Sequence, residues 1–198
     1  MTDVQGAPVQ VVVVGTSLGG MRALEEILRG LMPDFPLPIA VVQHRGVDWD
    51  GQQSQLTRLL QLHCALPVVE ANDKEPMTGG RVYLGPPDYH LLVDEGRFAL
   101  SVDARVYHAR PSIDVLFESA ADSYREGVLG VILTGASGDG AHGAACIKRR
   151  GGSVVAQDPR TAEAPVMPQA AISAGAVDRV LPLGEIASFL NLASVNHW

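Results

Sequence analysis

The sequence predicts an α/β fold, a three-layer, doubly wound and mostly parallel sheet with an antiparallel hairpin attached. Three observations predict it. Short β-branched runs alternate with longer stretches of helical period, the pattern of parallel strands joined by right-handed crossovers. Hydrophobic residues make up 46% of the chain and charged ones only 19%, which suits strands covered on both faces. HLLVDEGRFALSVD, residues 90–103, alternates about a DEGR turn, as a hairpin does. The 198 residues are read as a single domain over 1–198 with its core at about 9–192, long enough to bury a core without disulfides or metals.

Taken in order, Val9 to Val14 reads as a buried strand. Met21, Leu24, Ile27, Leu28 and Leu31 then repeat at helical spacing, with Pro33 as the stop. PIAVVQ (38–43) is a second strand, and Leu56, Leu59, Leu60 and His63 fall on one face of a second helix. Pro67–Glu70 and Arg81–Leu84 are short strands before the hairpin. Ile113, Leu116, Phe117, Ala120 and Tyr124 trace a further helix, followed by the apolar strand VLGVILTG (128–135). The turn ASGDGAHG opens a helix running to Arg150. SVVAQ (153–157) is the next strand, PQAAISAG (168–175) a short helix, DRVLP the last strand, and a final helix starts at Gly184 or Glu185. No internal repeat or low-complexity tract interrupts the pattern.

Composition narrows function. With 22 acidic against 15 basic residues the net charge is −7, so the basic footprint that nucleic acid or an anionic membrane demands is missing. The start, MTDVQGAP, has neither a basic n-region nor an apolar h-region, and no apolar run reaches the roughly 18 residues of a membrane span. A cytoplasmic protein with no nucleic-acid partner and no membrane insertion is expected. Cys64 and Cys146 are far apart and lack C-x-x-C spacing, which reads as two reduced thiols. His63, His90, His108, His142 and His197 form no H-x-x-x-H or H-E-x-x-H pair, so no metal site is expected. Arg149 and Arg150 end a predicted helix, where cations complement its dipole.

In open α/β sheets, sites form beyond the carboxyl ends of the strands. Ser17 follows the first strand, His44 the second, and Asp139 lies in the turn after VLGVILTG. The stretch VVVVGTSLGG (11–20) admits two readings. A dinucleotide turn wants G-x-G-x-x-G and an acid roughly 20 positions on; here the second glycine is Ser17 and the second strand ends in Gln43-His44. A P-loop needs a lysine after its last glycine, and none follows Gly20. Gly15-x-Ser17-x-Gly19 does match a nucleophile elbow, a tight strand-to-helix turn that thrusts a serine outward, with amides at the helix start free to meet an oxyanion. The order Ser17, His44, Asp139 differs from that of α/β-hydrolases, so another fold family is implied. Each residue also has a plainer reading: Ser17 as cap of the helix starting near Gly20, Asp139 as cap of the helix after Gly140, His44 as a hydrogen-bonded histidine at a strand end. Sheet geometry favours the joint reading, because it brings the three to one edge.

With these positions in view, the chain resembles the catalytic domain of the chemotaxis protein-glutamate methylesterases, the CheB family. The likeness runs from about Val9 to Leu192 through GTSLGG (15–20), VVQH (41–44), VYLGPPDYH (82–90), RPSID (110–114), GVILTGASGDGAHG (130–143), AQDPRTAEAPVMP (156–168) and AGAVDRVLPL (174–183). The resemblance implies Ser17, His44 and Asp139 as nucleophile, base and its acid partner, no cofactor, and hydrolysis of glutamyl methyl esters, with glutamine deamidation in many members. It implies methyl-accepting chemotaxis receptors as protein substrate. Leu18, Gly19 and Ala136 fall at the site border, with amides near Leu18 and in the 135–138 turn as oxyanion donors; Arg22, Arg45 and Arg110 fall at the substrate rim. Two positions depart from the family pattern, Leu18 where threonine is common and Ala136 where methionine is common. Typical members carry an N-terminal receiver domain, whereas about eight residues precede the first strand here, so a separate receiver protein is among the partners to be expected. The alternative is a non-catalytic module of the same fold that binds a receptor or partner.

Overall fold

The computed structural model describes residues 8–44 and 55–195. β1 (Val11–Thr16) lies at the centre of the sheet, and its valines alternate between layers: Val12 and Val14 point into one hydrophobic core, Val11 and Val13 into the other. None of the four is more than 3% exposed. A strand covered on both faces offers no position for a polar side chain, hence the unbroken valine run.

The remaining elements follow as α1 (Gly20–Arg29), β2 (Ile39–Gln43), α2 (Gln55–Gln61), β3 (Val68–Glu70), β4 (Val82–Leu84), β5 (His90–Asp94), β6 (Arg97–Ser101), α3 (Ile113–Tyr124), β7 (Val128–Ile132), α4 (Ala141–Arg149), β8 (Ser153–Gln157), α5 (Val166–Ser173), β9 (Arg179–Leu181) and α6 (Leu183–Val195). Seven strands pair in parallel in the order β3-β4-β2-β1-β7-β8-β9, while β5 and β6 form the expected antiparallel hairpin. One core lies between the sheet and α1, α6 and Leu60 of α2; the other lies beneath α3, α4, α5 and the hairpin. This is the doubly wound, three-layer arrangement the sequence predicts.

Local departures have local causes. α1 ends at Arg29 rather than at Pro33, because the Gly30 amide turns back onto the carbonyls of Ile27 and Leu28. In α2 the inward face carries Thr57 and Leu60 and leaves Leu59 40% exposed. α5 begins at Val166 rather than at Pro168. Proline in a first turn forfeits no helical hydrogen bond, so Pro168 sits inside the helix start instead of marking it.

β1 is the switch point of the sheet. The chain leaves it for β2 on one side and returns to β7 on the other, so the loops after β1, β2 and β7 rise from three adjacent strand ends.

Candidate active site

Ser17 and His44 stand one step beyond the last β1–β2 register pair, Thr16↔Gln43, and the His44 amide extends that ladder by donating to the Thr16 carbonyl at 3.1 Å. Adjacent strands lie about 4.8 Å apart, so serine and imidazole rise from neighbouring positions. Ser17 is half-buried, and its hydroxyl makes no hydrogen bond among the described residues. It does not cap α1: the cap position is Gly19, in the left-handed region at φ 77°, and no side chain bonds to that helix end. The capping reading of Ser17 is thereby overturned.

The elbow is braced from β7 and β8. The Ser17 amide donates to the Thr134 carbonyl (3.0 Å), as does the Thr16 hydroxyl (2.9 Å). The Thr134 hydroxyl reaches the Leu18 carbonyl (2.9 Å) and accepts from the Ala164 amide (2.9 Å), while the Thr134 amide donates to Gln157 Oε1 (2.9 Å). A buried polar set with its partners satisfied fixes a turn more firmly than side-chain packing alone. Next to it, a Cβ on Gly135 would lie 2.6 Å from Met167 Cε and 3.0 Å from Ser17 Cβ. Gly135→Ala is therefore expected to displace the serine, lowering any activity that depends on Ser17 by more than tenfold while costing about 1–3 kcal/mol of stability; assay beside urea denaturation separates the two effects.

The acid of the site is held with unusual completeness. Asp139 is 0% exposed, and its carboxylate accepts four hydrogen bonds: Oδ1 from the Ser112 hydroxyl (2.9 Å) and the Asp114 amide (2.9 Å), Oδ2 from the Ile113 amide (2.8 Å) and His44 Nε2 (2.6 Å). Burial alone would push this carboxyl up, but the imidazole and the two amides outweigh it and hold Asp139 below the ordinary carboxylate range. An ionised carboxylate only accepts, so His44 carries its proton on Nε2 and keeps Nδ1 as the basic nitrogen.

Asp139 does cap a helix, though not the one the sequence suggests. Its oxygens meet the first amides of α3, while Gly140, with no side-chain cap of its own, takes the cap position of α4. The α4 amides of Gly140 (2.9 Å) and Gly143 (2.7 Å) go to Asp114 Oδ1. The two helices thus exchange carboxylates. Asp114 is pushed up to about 6 by burial, which the Gly143 amide only partly offsets and the Asp139 charge reinforces. A carboxyl raised in the fold binds a proton there that the unfolded chain releases, so this group's stabilising contribution is present at low pH and declines as pH rises from about 4 to about 6. Asp114→Asn keeps the acceptor and removes the titration; its melting temperature should follow a flatter curve over that range.

Ser112, Asp114 and His90 were legible only as parts of RPSID and of a scattered histidine set. His90 is buried, donating from Nε2 to the Ala104 carbonyl (3.0 Å) and accepting at Nδ1 from the Ser112 amide (3.2 Å), so it steadies the frame around Asp139. The border residues Leu18 and Ala136 are exposed, Leu18 by 56%. Among the described residues, the amides of Leu18, Gly19 and Ala136 donate to no group, whereas that of Gly135 is taken by the Ala164 carbonyl (2.9 Å). Arg110, expected at the rim, is committed within the chain: it donates to Asp88 Oδ1 (2.9 and 3.2 Å) and to the carbonyls of Val102 (2.6 Å) and Asp103 (3.0 Å). Arg22 is exposed and lines a cleft of about 770 Å³ together with Gly19, Glu163 and Arg160. Arg45 lies outside the described residues.

Comparison with known proteins gives the family. The model of the CheB methylesterase family matches residues 12–190. The chain belongs to the CheB methylesterase family. It is 46% identical over 189 residues to a protein of Leptospira interrogans serogroup Icterohaemorrhagiae serovar copenhageni (strain Fiocruz L1-130), named provisionally as a protein-glutamate methylesterase/protein-glutamine glutaminase; the match covers 94% of this chain and 96% of that protein. It is 48% identical over 182 residues to protein-glutamate methylesterase/protein-glutamine glutaminase 2 of Anaeromyxobacter dehalogenans (strain 2CP-C), covering 92% of this chain but only 52% of the relative. The crystal structure of the Thermotoga maritima CheB methylesterase catalytic domain superposes with a TM-score of 0.88 at 36% identity, covering 94% of this chain and 99% of that one.

Proposed function

We propose that this CheB-family chain is a cytoplasmic serine hydrolase that removes methyl esters from glutamate side chains of methyl-accepting chemotaxis receptors, and deamidates receptor glutamines, through Ser17, His44 and Asp139. The observation that carries the reading is a serine whose hydroxyl has no hydrogen-bond partner among the described residues, at a braced elbow beside a histidine whose far nitrogen is held by a saturated, ionised aspartate. His44 Nδ1 takes the Ser17 proton as its oxygen attacks the ester carbonyl; Asp139 stabilises the imidazolium. The tetrahedral oxyanion is met by amides near Leu18, Gly19 and Ala136. The imidazolium protonates departing methanol, and water activated by the same nitrogen frees the glutamate.

An open, apolar border supports a protein substrate. Leu18 (56% exposed) in the elbow, Val166 (51%) at the start of α5 and Tyr107 (57%) beside Gly138 offer apolar surface to a receptor helix. Among the described residues no helix is long and apolar enough to cross a membrane. Leu18 and Ala136 alter side chains at the border and leave the amides in place, so chemistry is expected to persist with a shifted rate. Arg22 offers a cation to an acidic receptor segment: Arg22→Ala is expected to lower kcat/KM several-fold, with the effect fading at high salt.

The deciding experiment is release of labelled methanol from methylated receptor membranes by the purified protein. Release above the enzyme-free rate is expected. Its absence, with the protein folded, would favour the receptor-binding module.

A further inference from the structure

Where α3 and α4 cross, Glu118, His142 and Cys146 bring a carboxylate, an imidazole and a thiol together, with their ligand atoms all within 4.8 Å of one another. His142 and Cys146 are four residues apart on α4 and so project from one side of it, while Glu118 arrives from α3. The helices approach closely at Gly143, where a Cβ would lie 2.6 Å from Phe117 Cβ and 3.1 Å from Asp114 Cα. That crossing sets Glu118 Oε1 2.7 Å from His142 Nδ1, and Cys146 Sγ 4.0 Å from the same nitrogen.

We propose that Glu118, His142 and Cys146 form a binding site for a soft divalent transition metal of the zinc type. Oxygen, nitrogen and sulfur donors in one cluster suit zinc, with three protein ligands and a position left for water. With bond lengths of about 2.0–2.3 Å, tetrahedral geometry places donors roughly 3.3–3.6 Å apart. Relative to His142 Nδ1 the carboxylate must therefore retreat, and the sulfur advance, by about half an ångström each, and the carboxylate and sulfur, within 4.8 Å of each other, must close by up to roughly an ångström, within the reach of side-chain rotation. A surface cavity of about 440 Å³, lined by Glu118, Asp122, Cys146, Arg149 and Arg150, gives the ion its approach.

The charged neighbours set the terms of binding. Arg149 Nη2 lies 2.9 Å from Cys146 Sγ and Arg150 pairs with Asp122 at 2.6 Å, so the metal displaces one guanidinium and faces another. Binding releases the Cys146 proton to solvent and replaces the His142–Glu118 hydrogen bond. A thiol binds the metal only as thiolate, so affinity should rise with pH.

The test is titration of untagged protein with Zn²⁺ by calorimetry and with Co²⁺ by absorption. One ion per chain at about micromolar Kd is expected, with a sulfur-to-cobalt charge-transfer band. Cys146→Ser should remove that band, Cys146→Ser and His142→Ala should each weaken binding about a hundredfold, and Arg149→Ala should tighten it. All three side chains are at least partly exposed, so these variants should fold, with circular dichroism as the check. Binding that is unchanged in Cys146→Ser and His142→Ala, or no binding below millimolar Zn²⁺, would overturn the proposal. Neither outcome depends on esterase activity.

Discussion

Replacing Ser17 by alanine is expected to abolish methyl-ester hydrolysis, a loss of about a thousandfold or more, with the melting temperature within a few degrees of the parent. The two halves of the expectation rest on different observations. The hydroxyl makes no hydrogen bond among the described residues and caps no helix, so its removal breaks nothing in the fold. The backbone at this position, which does hold the turn through the Thr134 carbonyl, is untouched. A hydroxyl with no hydrogen bond among the described residues, at an elbow braced from β7 and β8, is expected to matter for turnover rather than for stability. His44→Ala should give a comparable loss of turnover with a larger loss of stability, because Asp139 then lacks its 2.6 Å partner and a buried carboxylate is left short of one donor. Turnover by Ser17→Ala near the parent rate would overturn the proposed mechanism.

Much of this site was legible in the sequence because its parts sit at strand ends. A four-valine run names a central strand, a glycine-flanked serine names the turn after it, and parallel topology forces the ends of β1, β2 and β7 to one edge. What stayed hidden depends on contacts between elements distant in sequence. Asp139 reads locally as a cap for the helix that follows it; that it caps α3 instead, while Asp114 caps α4, follows from the packing of the two helices and leaves no periodic signal. Arg110 sits in a motif beside the site, yet its direction is set by Asp88 and two carbonyls, which no spacing reveals. The cluster on α3 and α4 escaped for another reason. Metal-site spacings in sequence pair histidine with histidine or cysteine with cysteine, whereas His142 and Cys146 form a mixed pair at helical interval, joined by Glu118 from another helix.

The largest combined effect is expected at Asp139. Asp139→Ala should lower stability by about 3 kcal/mol or more and turnover by about ten-thousandfold. Four donors lose their acceptor at once: the Ser112 hydroxyl, the Ile113 and Asp114 amides that open α3, and His44 Nε2. Asp139→Asn separates the two consequences. One amide oxygen still accepts, so more of the stability survives, but the NH₂ group faces donors and no longer fixes the imidazole proton on Nε2, so turnover should fall nearly as far as in alanine. The pH dependence carries an independent signature. A carboxyl held below its ordinary value contributes stability that is complete above the unfolded value, about 3.9, and is lost as pH falls through the lower folded value. Subtracting the Asp139→Ala stability curve from that of the parent should therefore give a difference that is large at neutral pH and shrinks in strong acid. Asp114 responds in the opposite sense, since part of its elevation comes from the Asp139 charge; in Asp139→Ala its titration should move back toward the ordinary carboxylate value. Two neighbouring buried carboxylates, one held down by an imidazole and three protein donors, the other held up by burial and its neighbour, would thus be resolved by one pair of denaturation series. An unchanged acid limb in Asp139→Ala would show that Asp139 is not held below the ordinary carboxylate range in solution.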